Sequence, residues 1–333
     1  MESPQFNVEY GMHTMNSFKF ESGRVLENVD VSYVTYGTPK CDEEGNINNV
    51  IIFFPTVKGG FSVIPEYNNL VKKYGFNIED YFYVRIFSLG TPESCSPSTT
   101  GLKDNFPEYT IKDRINFKKQ FLAEKFNIHK VLCAVGEGTG GFEIFTWACE
   151  YPDDIKCMVV INSSYKTYGY RYVFTKCIDG IIDSMENYFS EDYSTDLSKL
   201  FISIFRLAFA GYFPDKVFQN LSREEIDVLM EDYVDESLFM DIYDFKYRND
   251  SILDYDLEDK LGNIKAKALI IGLHGYLYVY PNDIFPLKDL IKDCEVKMLD
   301  SKKENYYEDP DNSELFSEIL SFFENLKNKK SNS

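Results

Sequence analysis

The chain has 333 residues, with 54 acidic against 35 basic side chains and a formal net charge of −19. A surface of that sign repels nucleic-acid phosphates and anionic lipid heads, so neither nucleic acid nor a membrane is an expected partner. At 44% hydrophobic and 16% aromatic residues the chain can bury a sizeable core, which excludes a disordered polymer, and its length fits one large domain with an insertion or two small domains.

From Met1 to Phe20 there is no basic start followed by an apolar stretch, so no signal peptide is expected, and no run approaches the roughly 18 apolar residues of a membrane span. Cysteines at 41, 95, 133, 149, 157, 177 and 294 are scattered, without a CxxC pair or Cys/His cluster. They read as free thiols in a reducing, cytoplasmic compartment, with Cys133 and Cys149 as core residues, and no metal or cofactor is expected. His13, His129 and His274 are the only histidines, which limits any imidazole chemistry to three positions.

Strands are expected at Val29–Tyr36, which alternates as a half-exposed strand does, and at Val50–Phe54, which is apolar throughout as a doubly covered strand is. Tyr81–Phe87 follows, and then a helix opens at Thr110 with Thr-x-x-Asp, a capping-box pattern, and puts Ile115, Leu122 and Phe126 on one stripe. Lys130–Val135 and Cys157–Ile161 are the next strands. The block from Tyr165 to about Asn263 contains no convincing strand and is rich in Phe, Tyr, Asp and Glu, so it reads as an inserted helical cap. Ala268–Ile271 and Glu295–Leu299 resume the strands, and a last helix places Phe316, Ile319, Leu320 and Phe323 on one face. Alternating strands and helices imply an α/β fold with a mostly parallel central sheet and helices on both faces. The expected organisation is a core over 1–164, a cap over 165–263, the rest of the core over 264–326 and a frayed tail over 327–333.

The densest chemical signal is the apolar strand Val131–Val135 running into Gly136-Glu137-Gly138-Thr139-Gly140-Gly141 and then into a helix with Ile144, Phe145 and Trp147. Strand, tight turn and helix in this order are the setting of a nucleophile elbow, whose flanking glycines let the backbone reverse without a Cβ clash. A working elbow carries Ser, Cys or Asp at its centre; here the residue is Gly138. Taking Thr139 as nucleophile would flank it with Glu137 and Gly141 and force a β-branched residue into strained backbone, so that frame is rejected. The glycines fit neither G-x-x-x-x-G-K-S/T nor G-x-G-x-x-G cleanly and stand mid-chain, which disfavours a phosphate loop and leaves a plain tight turn as the other reading.

With the elbow, several ordered anchors make the chain similar to the homoserine O-acetyltransferase-like branch of the α/β-hydrolases over most of its length. They are Phe20-Glu21-Ser22-Gly23, Tyr33–Gly37, Phe54-Pro55-Thr56-Val57-Lys58-Gly59-Gly60 and Tyr81–Val84. Thr146-Trp147-Ala148 with Tyr151-Pro152, Asn249-Asp250 and Ile264–Lys267 complete the set. The resemblance implies an α/β-hydrolase fold and puts the family's nucleophile on Gly138, its acid on Tyr276 and its histidine on Asn305. None of these three can do that work: a glycine cannot attack, and an asparagine cannot take a proton at neutral pH. The family's oxyanion donors fall on the N–H groups of Thr139 and Val57, which do not depend on side chains. Glu137 reads as a buried structural carboxylate or a group beside the pocket, and Lys58 as a solvated rim residue or a partner for a substrate carboxylate.

Three functions follow. The first, and the expected one, is a catalytically inactive relative that binds a small ligand or protein partner at the cap cleft. The second is an acyltransferase or hydrolase using other chemistry in the same pocket, with Tyr276, Glu137, Asp283 or a metal as actors. The third is a structural subunit that forms a homodimer through the cap.

Overall fold

The computed structural model describes residues 8–54, 80–184, 194–235, 240–300 and 313–330. Eight strands form one sheet in the order β1-β2-β4-β3-β5-β6-β7-β8. β1 (Val8–Lys19) and β2 (Val25–Gly37) make a long antiparallel ribbon, and β2 pairs antiparallel with β4 (Phe82–Ile86). From β4 onward every pairing is parallel, through β3 (Val50–Phe54), β5 (Val131–Glu137), β6 (Ile155–Ile161), β7 (Lys267–Leu273) and β8 (Cys294–Leu299). This is the α/β-hydrolase arrangement. The central strands are apolar on both faces because both are covered, and Phe82–Ile86 is buried at every position.

β1 was not legible in the sequence. Its residues alternate between exposed and buried positions, with Tyr10 and Met12 turned outward, so polar and apolar types mix without a run.

Helix α1 (Ile111–Phe126) covers one face of the sheet. Its expected capping box is present: the Thr110 hydroxyl accepts from the Asp113 N–H at 3.1 Å, and the Thr110 N–H donates to the Asp113 carboxylate at 3.0 Å. Ile115 and Leu122 are buried beneath it, beside helix α2 (Thr139–Glu150). On the other face Phe316, Ile319 and Phe323 of the C-terminal helix (Ser313–Lys330) pack on Val159, Leu269 and Ile271.

Between β6 and β7 lie the helices α3 (Gly169–Asp183), α4 (Ser194–Tyr212), α5 (Asp215–Asn220), α6 (Arg223–Asp235) and α7 (Ile242–Leu253). They share an aromatic core of their own, including Phe201, Phe205, Phe209, Tyr233 and Phe245. An isolated bridge between Lys166 and Asp256 ties the two ends of this block together.

Candidate functional site

β5 ends at Glu137, and Gly138 begins the turn into α2 with φ 52° and ψ −118°. A Cβ is disfavoured there, which is the backbone reason for glycine at this point. The conformation is pinned from three sides. The Gly138 N–H donates to the Ile161 carbonyl at 3.1 Å, and its own carbonyl accepts from the Gly141 N–H at 3.1 Å and the Ser163 hydroxyl at 2.6 Å. One turn on, a Cβ at Gly140 would stand 2.1 Å from the Phe54 carbonyl oxygen, so α2 docks directly on the backbone of β3.

Over this turn lies a cavity of about 180 Å³, walled by the ends of β5 and β6, the loop after β7 and the inserted helices. Glu137, Gly138, Thr139 and Tyr276 share its wall, so four of the residues singled out in the sequence come together. Val57, Lys58 and Asn305 lie outside the described residues. Thr139 is the first helical residue of α2, and the N–H groups of a first turn have no acceptor within the helix. Such a donor at the cavity wall can polarise a carbonyl. Glu137 is the one carboxylate among the described lining residues. Asp283, the other acid considered, is occupied elsewhere: it accepts from the Tyr168 hydroxyl and, at 2.8 Å, from the Tyr280 N–H. His13 pairs with Glu124, His129 with Asn127, and neither these nor His274 lines the cavity.

Asn162, Arg171 and Arg248, polar residues of the wall, were not anticipated. Asn162, directly after β6, holds a left-handed φ of 45°, and its Oδ1 is buried without a hydrogen-bond partner. Asparagine tolerates that backbone better than most residues, and non-glycine positions of this kind gather at functional sites. Arg171 of α3 and Arg248 of α7 bring two guanidinium groups into a wall that is mostly aromatic and aliphatic. The signal that could have found them is the scarcity of basic residues in this acidic block, with Arg171 set in Tyr168-Gly169-Tyr170-Arg171-Tyr172.

Behind the turn, on the far side of α2, Glu143 sits in a closed polar cluster. It accepts from Arg114 at 2.7 Å, from Lys118 at 2.5 Å and from the Ser88 hydroxyl at 3.2 Å. Burial pushes the Glu143 carboxyl up, but the charges of Arg114 and Lys118 outweigh it and hold its pKa below the ordinary carboxylate value. Burial lowers the Lys118 ammonium to about 8, with Arg114 adding to the effect and Glu143 opposing it. This cluster anchors the helix that carries the elbow and does not reach the cavity. Among the described residues no group of three His, Cys, Asp or Glu side chains could hold a metal, and no helix is long and apolar enough to cross a membrane.

A probable acyltransferase of Methanothermobacter thermautotrophicus is 33% identical over 292 residues, spanning 86% of this chain and 89% of that protein. A homoserine O-acetyltransferase of Deferribacter desulfuricans is 30% identical over 169 residues, 45% of this chain and 43% of that protein. The chain belongs to the homoserine O-acetyltransferase-like branch of the α/β-hydrolases. No family model matches it. An acetylester hydrolase from Corynebacterium glutamicum superposes with a TM-score of 0.76 at 19% identity, over 93% of this chain and 96% of that one, which bears out the fold. These relatives overturn one expectation. The missing serine at position 138 led to a catalytically inactive protein, yet the family members that match along the chain carry the names of acyltransferases and ester hydrolases, and nothing in the structure shows inactivity.

Proposed function

We propose that this chain is an acyl-transfer enzyme, an acyltransferase or ester hydrolase, that passes the acyl group directly to its acceptor without an acyl-enzyme at Gly138. The observation that carries this reading is the pinned elbow, which sets Thr139, the first residue of the helix, in the wall of a cavity whose described lining includes one carboxylate, Glu137. Glu137 and Asn162 follow each other across the β5–β6 pairing, in which Glu137 faces Ile161. An acceptor hydroxyl or water between them would donate to the Glu137 carboxylate, and for a water the orphaned Asn162 Oδ1 would accept the second proton and orient it.

In the proposed step the acceptor oxygen attacks the acyl carbonyl carbon while its proton passes to Glu137. The carbonyl oxygen becomes an oxyanion facing the Thr139 N–H. Collapse of the tetrahedral species breaks the bond to the leaving group, which takes the proton back from Glu137. Proximity in a closed cavity and backbone polarisation are the two effects that remain when no side-chain nucleophile is present.

The test is turnover of short acyl esters and acyl thioesters, with water and hydroxy-acid acceptors, beside intact-protein mass spectrometry during turnover. Turnover that falls about 100-fold or more in Glu137→Gln, with no acyl adduct on the protein, is the expected outcome. A covalent acyl adduct, or unchanged turnover in Glu137→Gln, refutes the mechanism.

A further inference from the structure

The lining of the cavity specifies a kind of molecule as well as a reaction. We infer that it binds a monocarboxylate with a compact apolar tail, its carboxylate on Arg171. The inference relies on the acyl-transfer reading only for the identity of the reacting end; the binding claim stands on the wall itself.

The Arg171 guanidinium enters no ion pair or hydrogen bond among the described residues, and its Nε is buried without a partner. Its guanidinium lies over two rings, 4.9 Å from the centroid of Phe142 and 5.0 Å from that of Tyr278. Ring contacts of this kind use the charge of the guanidinium and none of its N–H groups, which remain a planar fork able to grip a carboxylate through two parallel hydrogen bonds. Asp283, an acid whose charge acts on Arg171, is already held by Tyr168 and Tyr280. Arg248 repeats the pattern. It is 9% exposed, its guanidinium meets the Met240 sulfur through Nη2 at 3.6 Å, and neighbouring Asp244 is engaged by the Ser96 and Ser98 hydroxyls and the Ser98 N–H. Burying a guanidinium without a counter-charge is costly, and burial lowers the pKa of both. Both nonetheless remain cationic at any physiological pH. Such a pair gains most from an anion that enters with its substrate.

The rest of the wall states what the anion is attached to. Phe174, Ile178, Phe205, Ala208, Phe245 and Ile252 are apolar, and the volume of about 180 Å³ compares with engineered apolar cavities of about 150 Å³ that take up benzene. A phenyl ring or a chain of a few carbons fits; a free phosphate or a polar zwitterion would leave this surface uncovered. Two arginines against Glu137 give the described wall one net positive charge, which suits a single carboxylate.

The experiment is calorimetric titration of the full chain with phenylacetate and hexanoate, beside neutral phenylacetamide and hexanamide and inorganic phosphate. The carboxylates should bind about ten-fold or more tightly than their amides, since a charge-assisted pair contributes more than a neutral hydrogen bond. Phosphate should not bind. Arg171→Met should abolish the preference for carboxylate over amide, and Arg171→Lys, which keeps the charge and loses the fork, should retain part of it. Arg223→Met, on the exposed side of α6, should leave it unchanged. Equal affinity for acid and amide, binding of phosphate as tight as that of the acids, or an Arg171→Met variant that folds by circular dichroism and keeps its preference would each overturn the assignment. Because the readout is heat of binding, its failure is separable from loss of turnover in Glu137→Gln.

Discussion

Replacing Gly138 by alanine tests the geometry on which the site depends. With φ 52° and ψ −118°, the position lies in backbone space that costs a residue with a Cβ on the order of 1–3 kcal/mol. The turn cannot escape by rotating the peptide, because the carbonyl is held by Ser163 and the Gly141 N–H and the N–H by Ile161. Against the strain stands the smaller unfolded-state entropy of alanine, about 0.4–1 kcal/mol in its favour. The strain term wins, and Gly138→Ala should be less stable by about 1–2 kcal/mol. Gly180→Ala supplies the control of opposite sign: it lies inside α3, and a Cβ there meets nothing within 4 Å. That change should be neutral to stabilising, by up to about 1 kcal/mol. Urea denaturation of the three proteins side by side, followed by far-ultraviolet circular dichroism, gives both numbers. A Gly138→Ala protein as stable as the parent would refute the strained turn.

Two further outcomes concern the cluster behind the elbow. Glu143→Gln leaves Arg114 and Lys118 buried without their counter-charge and should cost about 3–5 kcal/mol in urea denaturation; a loss below about 1 kcal/mol would show that solvent reaches the cluster. Lys118 has a folded pKa of about 8, below its unfolded value of 10.5, so between these two pH values the unfolded chain holds the proton that the native state has lost. Its contribution to stability therefore rises with pH across that window, and urea midpoints of the parent measured against Lys118→Met at pH 7.5 and 9.5 should show the parent gaining on the variant. A constant difference at the two pH values would contradict the lowered pKa.

The parallel core was legible because doubly covered strands appear as uninterrupted apolar runs, as Val50–Phe54 and Cys157–Ile161 do. The elbow was legible because its glycines serve backbone contacts that no other residue permits, such as Gly140 against Phe54. β1 was not, since one of its faces meets solvent and its Gly11, His13 and Asn16 look like loop residues. Arg171, Arg248 and Asn162 were hidden for a different reason. What distinguishes them is that Arg171 Nε and Asn162 Oδ1 are buried without a partner and that no carboxylate pairs with Arg248 among the described residues, and a partner is a property of three-dimensional packing rather than of spacing along the chain. The inference from Gly138 to inactivity failed because it took the side chain at one position for the whole of the site, whereas cavity, backbone donor and carboxylate do not depend on it.

The inserted helices also bear on how the chain reaches this state. β5 and β6 are joined through the single helix α2, so their pairing closes a short loop, whereas Cys157 of β6 meets Lys267 of β7 only across the entire helical block. Loop-closure entropy grows slowly, by about 0.6 kcal/mol per doubling of length, so the long connection weighs little on the final equilibrium. It weighs on rate, because distant pairings must wait for the intervening chain to compact. A block that collapses around its own aromatic core shortens the gap before the sheet is complete. The segment that walls the cavity is in this sense also a folding tether, and its early collapse would let β7 and β8 join the growing sheet in chain order.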